Sequence, residues 1–258
     1  MSNIAEVFPV DALVRLADTH RILELEGHGD MTQGHLSLRD PEGAGFWLKR
    51  HGIGIGEVMG ADDFVLIDFD GKKIRGSGGR HSEWPIHAGI FKRRPDINVV
   101  GHTHSFYACM FSATSEPLRP LSLDGARLPT ATPHYKGSTE LIHTAELGDQ
   151  MGEALGNAFT MLLGNHGPVF AGRTIEHALV MGISLERACQ AQLTVGASGF
   201  KWDAPDTASN EERRSSIANN QGGGLDGFFL QTWEYYRRKL AWAEARNPPG
   251  TQGYFRVA

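Results

Sequence analysis

Cysteine is nearly missing from this chain: 258 residues hold two, Cys109 and Cys189, both in apolar stretches. A disulfide scaffold is thereby excluded, and buried free thiols in a reducing compartment are the expectation. Long apolar runs are missing too. None approaches the ~20 residues that span a bilayer, and the N-terminus lacks a basic region followed by an apolar core. A soluble cytoplasmic protein with no membrane partner is therefore expected. Nor is there an excess of one charge. The formal net charge is −5, and the one basic cluster, Lys92, Arg93 and Arg94, falls at an expected helix end, where cations complement the dipole. Nothing here speaks for nucleic acid.

What is present is enough chain for a well-buried core, with strand-like and helix-like segments in alternation. Leu13, Leu16, Ala17 and Leu23 give residues 11–24 the spacing of an amphipathic helix. The segment GHGDMTQGHLSLR then reads as a Gly-rich turn. Short strands are predicted at 45–49 and 64–68, the second closed by an Asp70-Gly71 turn. Ser82 can cap a helix that tolerates Pro85 in its first turn and ends before Pro95. Residues 99–104 read as a buried strand, and a helix is expected from Ser138 to about Leu155. A strand pair follows at 159–163 and 168–171, then a helix capped by Thr174 that runs to about Gly199. No repeat and no internal linker precede residue 203.

Residues 203–227 differ, being polar, charged and rich in glycine (Gly222 to Gly224); composition alone predicts disorder. Residues 228–246 form a helix candidate loaded with Phe228, Phe229, Trp233, Tyr235, Tyr236 and Trp242. Aromatics at helical spacing are more often core or interface than active site.

The chemistry gathers around histidine. His102 and His104 lie one residue apart at the end of the apolar run Ile97, Val99, Val100, so a strand would aim both imidazoles at one ion. His166, in the turn Gly164-Asn165-His166-Gly167, offers a third ligand. Three protein ligands with an open position is the arrangement of catalytic zinc. Twelve histidines make an isolated H-x-H pair easy to reach by chance, so the intervening sequence has to carry weight. Glu83, in RHSEWPIH, is the natural proton carrier beside such an ion, or else a carboxylate placed favourably near a helix N-terminus.

Four pieces in order, QGHLSLR, HSEW, RPDINVVGHTHS and LLGNHGPVF, with PHYKGSTEL before the last, resemble the motifs of the class II aldolase/adducin family over residues 11–199. The resemblance implies a three-layer α/β/α sandwich around a mixed, largely antiparallel sheet, assembled as a homotetramer with active sites at subunit boundaries. It assigns residues 1–202 to that domain and leaves 203–258 as a C-terminal loop and aromatic helix packing on the same domain or a neighbouring subunit. It makes His102, His104 and His166 the metal ligands and Glu83 the acid/base. The ion acts as a Lewis acid on substrate oxygens, which needs no lysine Schiff base, in accord with a sequence lacking a conspicuous buried lysine. Zinc is the first expectation, manganese or iron(II) the next.

The departures bear on substrate. Where sugar-phosphate aldolases have asparagine and serine around the phosphate, this chain has His35 and His81, while Gly34, Ser37 and Ser82 remain. Two imidazoles leave less room for phosphate but can hydrogen-bond a carboxylate or phenolate. These five residues are the candidate substrate-binding set, and Asp124 is a candidate second acid. The expected activity is a metal-dependent carbon–carbon lyase, by aldol cleavage or decarboxylation, on an oxygenated, non-phosphorylated carboxylate or carbonyl compound. Three alternatives stay open: a sugar-phosphate aldolase or epimerase, an iron-dependent oxygenase, and a non-catalytic adducin-like assembly module.

Overall fold

The computed structural model describes residues 8–128, 131–137, 141–219 and 224–247. Their strands form one sheet in the order β4-β3-β2-β1-β5-β8-β7-β6. The strands are β1 (His35–Arg39), β2 (Phe46–Lys49), β3 (Phe64–Ile67), β4 (Lys73–Arg75), β5 (Val99–His102), β6 (His134–Tyr135), β7 (Thr160–Leu163) and β8 (Gly167–Gly172). Neighbours run antiparallel throughout except β6 and β7, which are parallel. The helices are α1 (Phe8–Leu23), α2 (Trp84–Arg93), α3 (Phe106–Ser112), α4 (Leu123–Arg127), α5 (Ala145–Leu155), α6 (Ile175–Ala197), α7 (Thr207–Asn219) and α8 (Gly224–Arg246).

Strand alternation assigns the faces. On β1, His35 and Ser37 point to α2, while Leu36 lies on the α1 side, where its N–H donates to His20 Nε2. On β8, Phe170 packs under α6 against the position of Gly182. Helices α2 and α5 thus cover one face, and α1 and α6 the other, with α8 laid over both of the latter. The expected three-layer arrangement is what forms. Covering both faces buries β2, β3, β5, β7 and β8 end to end.

Several expectations shift. The segment HLSLR, read as part of a turn, is the central strand β1. Its inner positions His35 and Ser37 are polar yet fully buried, so the apolar alternation that marks a strand is hidden. Strand β5 stops at His102, two residues short of His104. There the chain turns into α3, whose first turn is held by the Glu186 carboxylate accepting from Ser105 Oγ, Tyr107 N and Ala108 N. Ser82 is not the cap of α2. Glu83 occupies that position without capping through its side chain, whose carboxylate accepts from Ile142 N instead. The helix expected from Ser138 begins at Ala145, capped by Thr144; Ser138 lies outside the described residues. Thr174 caps α6 as expected, accepting from His177 N.

The polar segment after residue 203 carries α7, which packs on α4 and α8; Gly222 and Gly223 lie outside the described residues. Helix α8 buries Phe229, Trp233, Tyr236 and Leu240, and Trp233 Nε1 donates to Thr19 Oγ1 of α1 at 3.0 Å. Lys49 is fully buried, against the expectation of no such lysine. Its ammonium donates to the carbonyls of Thr32 and Ile53, tying the loop before β1 to the loop after β2, and burial lowers its pKa to about 8. Both thiols are free; Cys189 is buried and Cys109 half-buried. No helix among the described residues is long and apolar enough to cross a membrane.

Candidate metal centre

Two adjacent strand ends and one turn build the centre. His102 is the last residue of β5, paired across to His35 on one side and Val169 on the other. His104 sits two residues on, and His166 hangs from the β7–β8 turn, where Asn165 takes a left-handed φ of 56°. Asparagine tolerates that conformation, and it swings His166 inward. The three rings stand 4.8–5.1 Å apart, centroid to centroid.

Each of two rings is fixed by its outer nitrogen. His102 Nδ1 donates to the Pro168 carbonyl at 2.9 Å, and His104 Nδ1 faces Asp30 Oδ2 at 2.9 Å. A carbonyl only accepts, so the Nδ1 of His102 carries the proton and its Nε2 keeps a lone pair. The Nε2 atoms of His102, His104 and His166 are all buried with no hydrogen-bond partner. Burial holds His102 well below the usual histidine range and brings His166 to about 4, with neighbouring histidine charge second in each case. Neutral imidazoles with inward lone pairs are the protonation state a divalent ion requires.

Glu83 completes the set. Its Oε2 lies 3.7 Å from His102 Nε2 and its Oε1 3.7 Å from His166 Nε2. Donors bound at about 2.0–2.2 Å to one ion stand about 3–4 Å apart, so the four residues fit a divalent cation. Helix α2 holds the carboxylate from behind. Gly89 of α2 and Gly148 of α5 meet backbone to backbone with no room for a Cβ, which brings Ile142 N, just before α5, within 3.3 Å of Glu83 Oε1. Burial raises the Glu83 pKa, and the Ile142 N–H opposes this. A carboxyl group so balanced can hold a proton or release it.

A second group shares Glu83. His35 Nε2 lies 3.9 Å from Glu83 Oε2, and the His81 ring sits 4.0 Å from that of His35. Both imidazoles are buried, and the pKa of His81 falls to about 3, chiefly through burial. The other expected contacts divide. Gly34, with φ of 70°, turns the chain into β1, while Ser37 is sealed beneath His35 and bonds His87. Ser82 is exposed beside the centre. Asp124 does not join the group within this chain: it pairs with Arg127 and lines a separate cleft with Arg187, Phe228 and Tyr235. Sequence reasoning missed Asp30 and His87. His87 had one signal, its place one helical turn after Glu83; Asp30 had none.

The sequence profile described as the Class II Aldolase and Adducin N-terminal domain matches residues 14–193. The chain belongs to this family. Among its relatives is the meiotically up-regulated gene 14 protein of Schizosaccharomyces pombe, 30% identical over 72% of this chain and 73% of its own length. The 3,4-dihydroxyphthalate decarboxylase of Arthrobacter keyseri is 29% identical over 72% of this chain and 80% of its own. An L-fuculose 1-phosphate aldolase from Glaciozyma antarctica shares the fold, with a TM-score of 0.74 over 95% of this chain and 94% of its own at 24% identity. This class II aldolase/adducin member therefore sits in a family that holds both aldolases and decarboxylases. Its class II aldolases depend on a divalent metal, and the cluster of Glu83, His102, His104 and His166 is where this chain can hold one.

Proposed function

We propose that the chain is a divalent-metal-dependent carbon–carbon lyase acting on an oxygenated, non-phosphorylated carboxylate or carbonyl compound, with zinc as its first-choice ion. The observation that carries the reading is the trio of buried, unpartnered Nε2 atoms converging beside the Glu83 carboxylate. When bound, the ion supplies Lewis-acid stabilisation of the negative charge left as the carbon–carbon bond breaks. The residues do the rest. Glu83, its pKa raised by burial, holds the proton that the carbanion takes up after carbon dioxide leaves; in aldol cleavage it instead accepts the hydroxyl proton. His35 and His81 flank it with imidazole nitrogens suited to a carboxylate or phenolate oxygen. The decarboxylase among the relatives supports a carboxylate as substrate. A homotetramer located in the cytoplasm accompanies the proposal.

The test is zinc-reconstituted protein assayed on hydroxylated aromatic carboxylates and on sugar phosphates, following carbon dioxide and aldehyde together. Turnover of the first panel is expected. Aldehyde from sugar phosphates alone would overturn the substrate class, and oxygen uptake with iron would point to the oxygenase. Glu83→Gln should keep the metal and lose turnover by about 10²–10⁴-fold. His104→Ala should lose the metal itself.

A further inference from the structure

Behind the candidate centre runs a chain of buried hydrogen bonds that none of the roles above uses. His35 Nδ1 lies 2.6 Å from His87 Nε2, and His87 Nδ1 lies 2.6 Å from Ser37 Oγ. All three residues are completely buried, so water cannot complete their hydrogen bonds. The positions follow from simple geometry. His35 and Ser37 are alternate residues of β1 and share its α2-facing side. His87 reaches between them from α2, one turn beyond Glu83. At the open end, His35 Nε2 is buried, unpartnered and 3.9 Å from Glu83 Oε2.

We infer that His87, seated on Ser37, is a positioning residue that fixes His35 with its proton on Nε2, making that nitrogen a hydrogen-bond donor that reads a carboxylate on the substrate. The inference rests on the proposed lyase reading for the identity of that anion.

The proton order follows from counting donors. Ser37 has one hydroxyl proton and two acceptors within reach, His87 Nδ1 at 2.6 Å and the Val100 carbonyl at 3.4 Å. The shorter contact takes it. His87 is neutral, burial holding its pKa at about 3 against an opposing backbone hydrogen bond to Val100. Its Nδ1 donating to Val100 gives the reverse order, which the experiment below distinguishes. Accepting the Ser37 proton at Nδ1 instead leaves its own proton on Nε2, donated to His35 Nδ1. His35 has only Nε2 left to carry a proton, and that N–H faces Glu83. The opposite order would set a lone pair of His35 against Glu83 whenever that carboxylate is ionised. It would also leave the serine hydroxyl with the longer bond. An N–H held in this way is a poor metal ligand and a good partner for an anionic oxygen.

The experiment has two arms. ¹⁵N-histidine NMR of the metal-free protein reads the His35 tautomer without any substrate, and a protonated Nε2 is expected. Ser37→Ala removes the hydroxyl and frees His87 Nδ1 to donate to the Val100 carbonyl, so it should move the His35 proton to Nδ1. A wild-type His35 protonated on Nδ1, or a tautomer indifferent to Ser37→Ala, would overturn the inference. In the second arm, zinc-loaded protein binds 2,3-dihydroxybenzoate and catechol, which differ by the carboxylate. His87→Ala should weaken the first about tenfold and leave catechol and zinc stoichiometry unchanged; His87→Gln, whose amide can donate to the same nitrogen, should restore it. Equal losses for both probes, or loss of zinc, would make His87 merely structural. Failure of the wild type to bind either probe would count against the lyase reading, while the NMR arm still decides the tautomer.

Discussion

A metal-binding imidazole is only as well aimed as its other nitrogen allows. His102 is aimed by a backbone carbonyl that side-chain mutation cannot remove. His104 depends on Asp30, a carboxylate in the loop before β1 with about a third of its side chain exposed. Asp30 is therefore the outer partner open to test. Asp30→Ala should lower zinc affinity about 10–100-fold, and Asp30→Asn less, because its amide oxygen still accepts from Nδ1. Competition against a chromophoric chelator measures both, and an unchanged affinity in Asp30→Ala would remove the residue from the centre. Asp30 also marks where sequence stops being readable at this scale. The ligand trio stands out because H-x-H ends an apolar run and His166 sits in a short turn. Asp30 precedes His104 by 74 residues in a Gly-rich loop, and no local pattern ties the two. Ser37 carried a signal of the wrong kind: a small hydroxyl beside a substrate motif turned out to serve His87 beneath the surface.

Among the elements, α2 and α5 decide whether Glu83 is in place. Their backbones touch at Gly89 and Gly148, and the same contact brings Ile142 N to the carboxylate. Arg39 of β1 braces the far end of α2 by donating to the carbonyls of Phe91 and Arg94, and to that of Ile97 beyond it. Gly89→Ala would push a methyl group into the Gly148 carbonyl and force the helices apart. A loss of about 1–3 kcal/mol is expected in denaturant unfolding, together with a fall in turnover while His102, His104 and His166 still bind zinc. Wild-type stability in Gly89→Ala would mean that α5 can shift freely. Helices α2 and α6 were readable from the sequence within a few residues, α6 with its Thr174 cap and α2 without the cap expected at Ser82. Strand β1 was not, because its inner face is built from His35 and Ser37, polar residues whose shared partner, His87, comes to them only in three dimensions. Helix α7 was hidden by a composition that signals disorder, though it packs on α4 and α8.

For the whole molecule, a sheet covered on both faces turns histidines into acid-sensitive parts of the core. His20 is fully buried between the Leu16 carbonyl and Leu36 N, and burial lowers its pKa to about 3. His177 stacks on Phe229 of α8, with 4.4 Å between ring centres, and burial lowers its pKa to about 4. Both values lie below the unfolded 6.5. Between them and 6.5 the unfolded chain binds protons that the folded chain refuses, so stability is complete above pH 6.5 and falls as pH drops. Each group can contribute at most about 1.4 kcal/mol per pH unit across that window. Urea unfolding of metal-free protein at pH 7.5, 6 and 5 should show the midpoint fall on acidification. His177→Phe keeps a ring against Phe229 without a titrating nitrogen and should flatten part of that fall. Because His177 joins α6 to α8, the wild-type loss should come first at the C-terminal helix. With Trp47, Trp84, Trp202 and Trp242 replaced by phenylalanine, the fluorescence of Trp233, reporting the contact of α8 with α1, should therefore change at a lower urea concentration than the helical signal as pH falls. Coincident transitions at every pH would mean that α8 unfolds with the sheet rather than ahead of it.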